Sequence, residues 1–456
     1  MTLKVTSMQY RGFSAKVLVI VSFLAVGLLP AVDAEDDNPY AKTFDDFQWD
    51  ENEERVAIAG SIPLGSKFPT LDVIALYEQR NEINPADVAG LSMLGKLYFR
   101  HAKEADDLPY YKKAAETLER AIKLQPNYTS AKLGLAEVYG SQHRFKDGLR
   151  LATEVLASDG NLPLAIAIAS DCQLELGRYE DAKASLDTLL NLEASPPVHA
   201  RLARYAELHG KTDQALALLD KAVLELEKVS AEPEDFNWYL WRKASLLFGR
   251  GDLAAAKQLH KQVLAVDGND SAALFGLAEV HRAEGDTLAA MKVVQKIIDI
   301  DQAPPAMALM GDLCADNGNA EAAEAWYQKT ESAMRAELVI AGDAHAREVA
   351  LFFADHRRNL ADAVSLAVKD LDRREDIYTY DTLAWCRFQA GDVSQATDAM
   401  KKALSLGTQD AKLFYHAAKI FAAGGDSSAA ETMLARAKKL NPHIARQFND
   451  SPTGSH

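Results

Sequence analysis

Few side chains in this 456-residue chain have types and spacings that could do chemistry. His345 and His356, with Asp343 and Asp355 nearby, are its nearest approach to a polar cluster that could do chemistry. On one helix, residues eleven apart share a face but lie about three turns from each other, too far to ligate one metal ion. A solvated surface is the expectation for that group. Glu279 and Asp312, taken with Trp241 and Trp385, offer a second chemistry: two carboxylates beside aromatic platforms, as glycan cleavage would need. The chain has no HExxH, GxSxG, CxxC or phosphate-cradling glycine loop. Neither a catalytic residue nor a metal or cofactor site is expected from it.

Cys172, Cys314 and Cys386 lie in apolar stretches, far apart in the chain, and are expected as small buried core residues. The formal net charge is −16. That balance disfavours nucleic acid or an anionic membrane as the main partner.

The elements that hold these residues repeat. Tyr380 to Leu406 reads as two amphipathic helices joined by a tight turn at Gly391, with Asp392 placed to cap the second. A small residue in the second helix recurs at Ala114, Gly148, Ala182, Ala215, Ala256, Ala290, Ala323, Ala363, Ala396 and Ala430. The spacing is 33 or 34 residues except for two steps of 41 and 40. Five residues before most of these stands a glycine: Gly177, Gly210, Gly251, Gly285, Gly318, Gly391 and Gly425. Asp252, Asp286, Asp392 or Asp426 follows four of them. Arg358 takes the turn position in the eighth unit.

A period of about 34 with these residues resembles the tetratricopeptide repeat. Leu94, Gly95, Tyr98, Ala114, Leu118, Ala121 and Pro126 carry the resemblance in the first unit. Phe421, Gly425, Ala430, Leu434, Ala437 and Pro442 carry it in the last. The resemblance implies an all-α fold, a right-handed superhelical solenoid of about ten antiparallel helix pairs. It also implies that the first helix of each pair lines a concave groove, with its second, fifth, ninth and twelfth positions pointing inward.

On that register the groove holds Trp238, Trp241, Ser245 and Phe248, then Phe275, Glu279 and Arg282, then Phe352 and Asp355. Tyr378, Asp381, Trp385 and Phe388 follow, then Tyr415, Lys419 and Ala422. The earlier units offer Glu137, Asp171, Arg201 and Arg204. Its C-terminal half is thus aromatic and its N-terminal half polar. Two readings stand open for the aromatics: packing between neighbouring helices, or anchors for a partner segment. The Lys and Asn clamp by which some tetratricopeptide domains hold the acidic tails of heat-shock chaperones is missing from these positions.

Residues 1–34 read as a secretory signal: Lys4, Arg11 and Lys16 precede the apolar run Val17 to Leu29, and Val32-Asp33-Ala34 ends in small residues. An uncleaved anchor is the alternative, although the run is short for a bilayer. A periplasmic or secreted protein is expected, with no stable membrane insertion once the signal is removed. Residues 35–66 are acidic and irregular, with Phe44, Phe47 and Trp49 interleaved. They read as a solvated linker, or as a peptide that occupies a solenoid groove.

Residues 67–87 contain one amphipathic stretch, Leu71 to Asn84, expected to cap the array as a second-helix half unit. The array is expected in two parts, 88–340 and 341–442, followed by a flexible tail, 443–456. His101 to Tyr111 reads as an insertion in the first turn, and Glu227 to Phe236 and Ala336 to His345 as breaks in the period. The function class this points to is a non-enzymatic scaffold for protein partners, with self-association through the terminal repeats left open. A glycan-binding or glycan-cleaving solenoid is the alternative.

Overall fold

The computed structural model describes residues 70–105 and 107–444. The expected signal (1–34), the acidic segment (35–66) and nearly all of the tail lie outside the described residues. Among the described residues the fold is all-helical.

Helix α1 (Thr70–Ile83) precedes ten helix pairs. The first five are α2 (Val88–Ala105) with α3 (Leu108–Leu124), α4 (Thr129–Ser141) with α5 (Phe145–Leu156), α6 (Pro163–Glu175) with α7 (Tyr179–Leu192), α8 (Pro196–Leu208) with α9 (Thr212–Lys228), and α10 (Pro233–Gly249) with α11 (Leu253–Val266). Then come α12 (Ser271–Glu284) with α13 (Thr287–Ile300), α14 (Pro304–Asp316) with α15 (Ala320–Ala341), α16 (Ala346–Asp355) with α17 (Leu360–Arg373), α18 (Ile377–Gln389) with α19 (Val393–Ala403), and α20 (Ala411–Ala423) with α21 (Ser427–Leu440).

The small residues that set the period are all buried where the two helices of a pair cross. The aspartates after the turns act as caps. Asp252, Asp286, Asp392 and Asp426 each accept from the backbone N–H three residues on, which satisfies an amide that the first turn leaves unpaired. Gly391 takes φ +88°, the left-handed value that ends α18.

Three expectations change. His101 to Tyr111 does not form a long turn: α2 runs to Ala105 and α3 starts at Leu108, so the extra residues lengthen both helices. The irregularity before Gly342 is likewise absorbed by α15, which is 22 residues long. In the eighth pair the left-handed residue is Arg357 (φ +51°), not Arg358, and Asn359 (φ +41°) follows, so that turn is one residue longer than in the ninth.

The described residues divide into two compact units, 70–103 with 107–169, and 104–105 with 170–444. The expected break near Ala341 falls within the second unit. In the first unit, Tyr98 Oη donates to Glu78 at 2.6 Å and Tyr139 Oη to Glu119 at 2.7 Å. Each tyrosine of a first helix thus ties to a glutamate twenty residues earlier, in the preceding helix. Helix α1 therefore stands to α2 as α3 stands to α4.

In the second unit the chain returns on itself. The Glu375 N–H donates to the Glu175 carbonyl at 3.0 Å, and the Ile377 N–H to Tyr179 Oη at 3.0 Å. Thr408 Oγ1 donates to the Leu208 carbonyl, and Asn441 Nδ2 to that of Phe248 at 3.4 Å. The turns of the third, fourth and fifth pairs thus meet the loops before the ninth pair, before the tenth and after it. Leu174, Ala182, Leu208 and Ile377 form a small apolar cluster along this seam.

Candidate functional site

The first helices of the second unit carry its polar interior. Lys412 Nζ (α20) lies 3.6 Å from Asp355 Oδ2 (α16), and its ammonium is held above its ordinary pKa because Asp355, Asp381, Asp410 and Glu279 together outweigh the cost of burial. Residues from the sixth, eighth, ninth and tenth pairs therefore face one interior. Glu279 is half-buried there, and its carboxylate is acted on by the charges of Arg282 and Lys412. Burial pushes its carboxyl up to about 7, against the pull of Arg282 and Lys412.

Asp312 has the opposite environment. Its Oδ2 accepts from Arg282 Nη1 at 2.8 Å, and its Oδ1 from Tyr327 Oη at 2.9 Å and His356 Nε2 at 2.9 Å. Burial raises its pKa, but the His356 hydrogen bond and the Arg282 charge more than offset this and hold the carboxylate below its usual range. Both oxygens are engaged, so Asp312 is a hub that ties α12, α14, α15 and α16 together. His356 is a member of that hub and no solvated surface group, while His345 faces Glu337 at 3.4 Å. The two histidines do not come together. No group of three or more His, Cys, Asp or Glu among the described residues could hold a metal ion.

The aromatic positions divide into two sets. Phe275, Phe352, Trp385 and Tyr415 are buried between helices. Phe275 belongs to the core of the sixth and seventh pairs, and Phe352 and Trp385 to that of the seventh to tenth. Trp385 Nε1 donates to Asp355 Oδ1 at 2.7 Å. Tyr415 packs with Phe414, Ala437 and Ile444. Trp238, Trp241, Phe248, Tyr378 and Phe388 remain half-buried. Trp238 meets Tyr239 edge-on at 5.2 Å, and Phe388 lies 5.3 Å from Trp385. Arg282 is buried between Asp312 and Asp316. All three cysteines are free and buried, as their apolar surroundings in the sequence imply.

A charge cluster at the seam has almost no signal in the sequence. Arg347 donates to Asp370 at 3.1 Å and to Asp376 at 2.6 Å, and Arg374 Nε to Asp370 at 2.8 Å. Glu175 and Arg204 face them from the third and fourth pairs. Burial and the nearby Asp376 push the Glu175 carboxyl well above the carboxylate range. The only signal was Arg347 itself, an arginine set in the apolar run AREVALFFA. Arg374-Glu375-Asp376 looks like a solvated charge run.

Sequence comparison agrees with this architecture at two places. One tetratricopeptide-repeat family model matches residues 247–310, from the end of α10 into α14, and another matches residues 95–128, from within α2 to the loop after α3. The chain carries tetratricopeptide repeats. A protein-interaction scaffold is the function class that tetratricopeptide repeats suggest, because stacked helix pairs present long continuous surfaces. Among solved structures, a tetratricopeptide-repeat protein of Thermus thermophilus is similar at 22% identity over 39% of this chain and 91% of its own, with a TM-score of 0.34. Human IFIT1 is similar at 10% identity over 85% and 93%, TM-score 0.45, and yeast Tom70 at 15% over 83% and 90%, TM-score 0.34. No curated protein sequence matches the chain. No helix of this tetratricopeptide array, among the described residues, is long and apolar enough to cross a membrane.

Proposed function

We propose that this chain is a non-enzymatic scaffold of an extracytoplasmic compartment, which holds an extended segment of a partner protein along the interior of its second unit. One observation carries the reading: Glu279 and Lys412 come from different helix pairs, face the same interior, and are both only half-buried. The half-buried rings of Trp241, Tyr378 and Phe388, which the repeat register assigns to the same face, complete in this reading a lining of mixed charge and aromatic surface. Such a lining recognises side chains at intervals along a peptide, and aromatic anchors supply most of the affinity. The compartment rests on the basic and then apolar pattern of residues 1–34.

Two experiments test this. The mature chain is expected in the extracytoplasmic fraction with Glu35 as its first residue; a cytoplasmic chain that keeps residues 1–34 would contradict the compartment. Partner recovery from cross-linked cells is expected to fall when Trp241→Ala and Tyr378→Ala are combined in a variant that keeps its helical signal. Unchanged recovery would move binding away from the interior. Recovery of a glycan in place of a protein would replace the scaffold reading.

A further inference from the structure

The seam of the second unit is a row of small contacts spaced one helix pair apart, unlike the interdigitated cores within and between successive pairs. It is also tight. A Cβ at Gly177 would stand 2.6 Å from the Glu375 carbonyl oxygen, and one at Gly210 would stand 2.5 Å from that of Gly407. Only glycine lets these backbones meet. At Gly251 the same approach is made to Pro442, where a Cβ would stand 2.9 Å from Cδ.

The charge cluster behind the first of these contacts is half satisfied. Arg374 is wholly buried, yet its Nη1 and Nη2 have no hydrogen-bond partner; the Glu348 carboxylate stands 3.9 Å from one of them. Arg204 Nε is also without one. Buried charges with incomplete hydrogen bonding raise the free energy of the state that buries them. In the closed seam Glu175 is disfavoured in its charged form, while Arg204, Arg347 and Asp376 are held in theirs by opposite charges, so the seam's own hold rests on four hydrogen bonds and a small apolar cluster. Parting it would separate Glu175 from Asp376, Arg374 and Arg347, and the Arg204 guanidinium from the Tyr378 ring, which now lies 5.3 Å from it.

We propose that this seam is a releasable clasp: the second unit opens along the line Gly177–Glu375, Gly210–Gly407 and Gly251–Pro442, and a partner segment reaches the interior through that opening. The proposal rests on the interior binding reading for its purpose, but not for its mechanics. The seventh to tenth pairs, which share one core, move together in this opening, since that core takes in no residue of the third, fourth or fifth pair. Local openings of this kind occur well below the free energy of global unfolding.

Two amides report the seam directly. The Ile377 N–H is the first of α18 and has Tyr179 Oη as its acceptor, and the Glu375 N–H has the Glu175 carbonyl. Hydrogen exchange of the full chain, resolved to these amides, is compared among the parent, Gly177→Ala, Gly210→Ala, Gly318→Ala and Gly391→Ala. All four glycines have positive φ, so alanine strains each turn alike, but nothing lies within 4 Å of a Cβ at Gly318 or Gly391.

The clasp predicts that Glu375 and Ile377 exchange faster than helix-core amides such as that of Val349 in the parent. It predicts a further rise of about tenfold or more in Gly177→Ala and Gly210→Ala alone, with a larger radius of gyration by X-ray scattering. Seam amides that exchange only at the core rate in the parent would overturn it, and so would equal effects from all four substitutions. If a seam variant does not fold, the parent comparison decides. A seam that opens in a protein that recovers no partner leaves the clasp standing and removes the scaffold reading. Partner recovery with a seam that never opens does the reverse.

Discussion

Trp385 lies face to face with His416, their ring centroids 4.1 Å apart and their planes within 10°. The stack joins the ninth pair to the tenth, and His416 Nδ1 is hydrogen-bonded to Asp381 at 2.9 Å. A tryptophan that looks like a groove anchor in the sequence is thus held on one face by a neighbour, with its N–H engaged by Asp355.

Trp385→Ala is therefore expected to act on stability first. A buried tryptophan truncated to alanine costs about 3–5 kcal/mol. Urea unfolding should show that loss, while Trp238→Ala, at a half-buried ring, should cost less than half as much.

Asp312→Ala should remove the acceptor shared by Arg282, Tyr327 and His356 and cost about 3 kcal/mol or more. Burial alone lowers the pKa of His356, but the Asp312 hydrogen bond and charge outweigh it and hold the ring above its ordinary value. The stability this pair contributes is full below the ordinary histidine pKa and is lost as pH rises through the raised one. NMR titration of the His356 ring should show its pKa falling in the variant; an unchanged value would remove Asp312 as the cause.

Glu279 titrates with the opposite consequence for design. Its folded pKa of about 7 exceeds the ordinary carboxylate value, so its contribution to stability is greatest at low pH and is lost as pH rises toward 7. Glu279→Gln should stabilise the protein by roughly 1–2 kcal/mol at about pH 8, after allowance for its partial exposure, and by little at about pH 4.5. Melting curves across that range check the sign.

The caps offer a local test of the repeat logic. Asp286→Ala and Asp392→Ala each leave an amide of the second helix unpaired and should cost about 1 kcal/mol. Hydrogen exchange should rise at Ala289 in the first variant and at Gln395 in the second, the amides each aspartate accepts from.

These caps, like the small residues, were legible in the sequence because each answers a local need: an unpaired amide, or two backbones crossing. The insertion at His101 to Tyr111 was misread because extra residues lengthen a helix as readily as a turn, and Pro109 fits the first turn of α3 as well as it fits a loop. Which aromatics pack between helices and which stay half-buried was not legible. Whether Tyr378 faces solvent or Arg204 depends on the chain returning on itself some 200 residues later, which is the sum of small rotations from pair to pair. The seam cluster is hidden for the same reason, since Glu175 and Asp376 are neighbours only after that return.

The most direct test of the central claim places a photo-cross-linking amino acid in cells at Lys412 or Tyr378, in the interior, and at Leu288, which is 67% exposed on a second helix. The scaffold reading predicts covalent adducts with a single partner protein from the interior positions and none from Leu288. Adducts from Leu288 alone, with the interior positions silent in a folded protein, would contradict it.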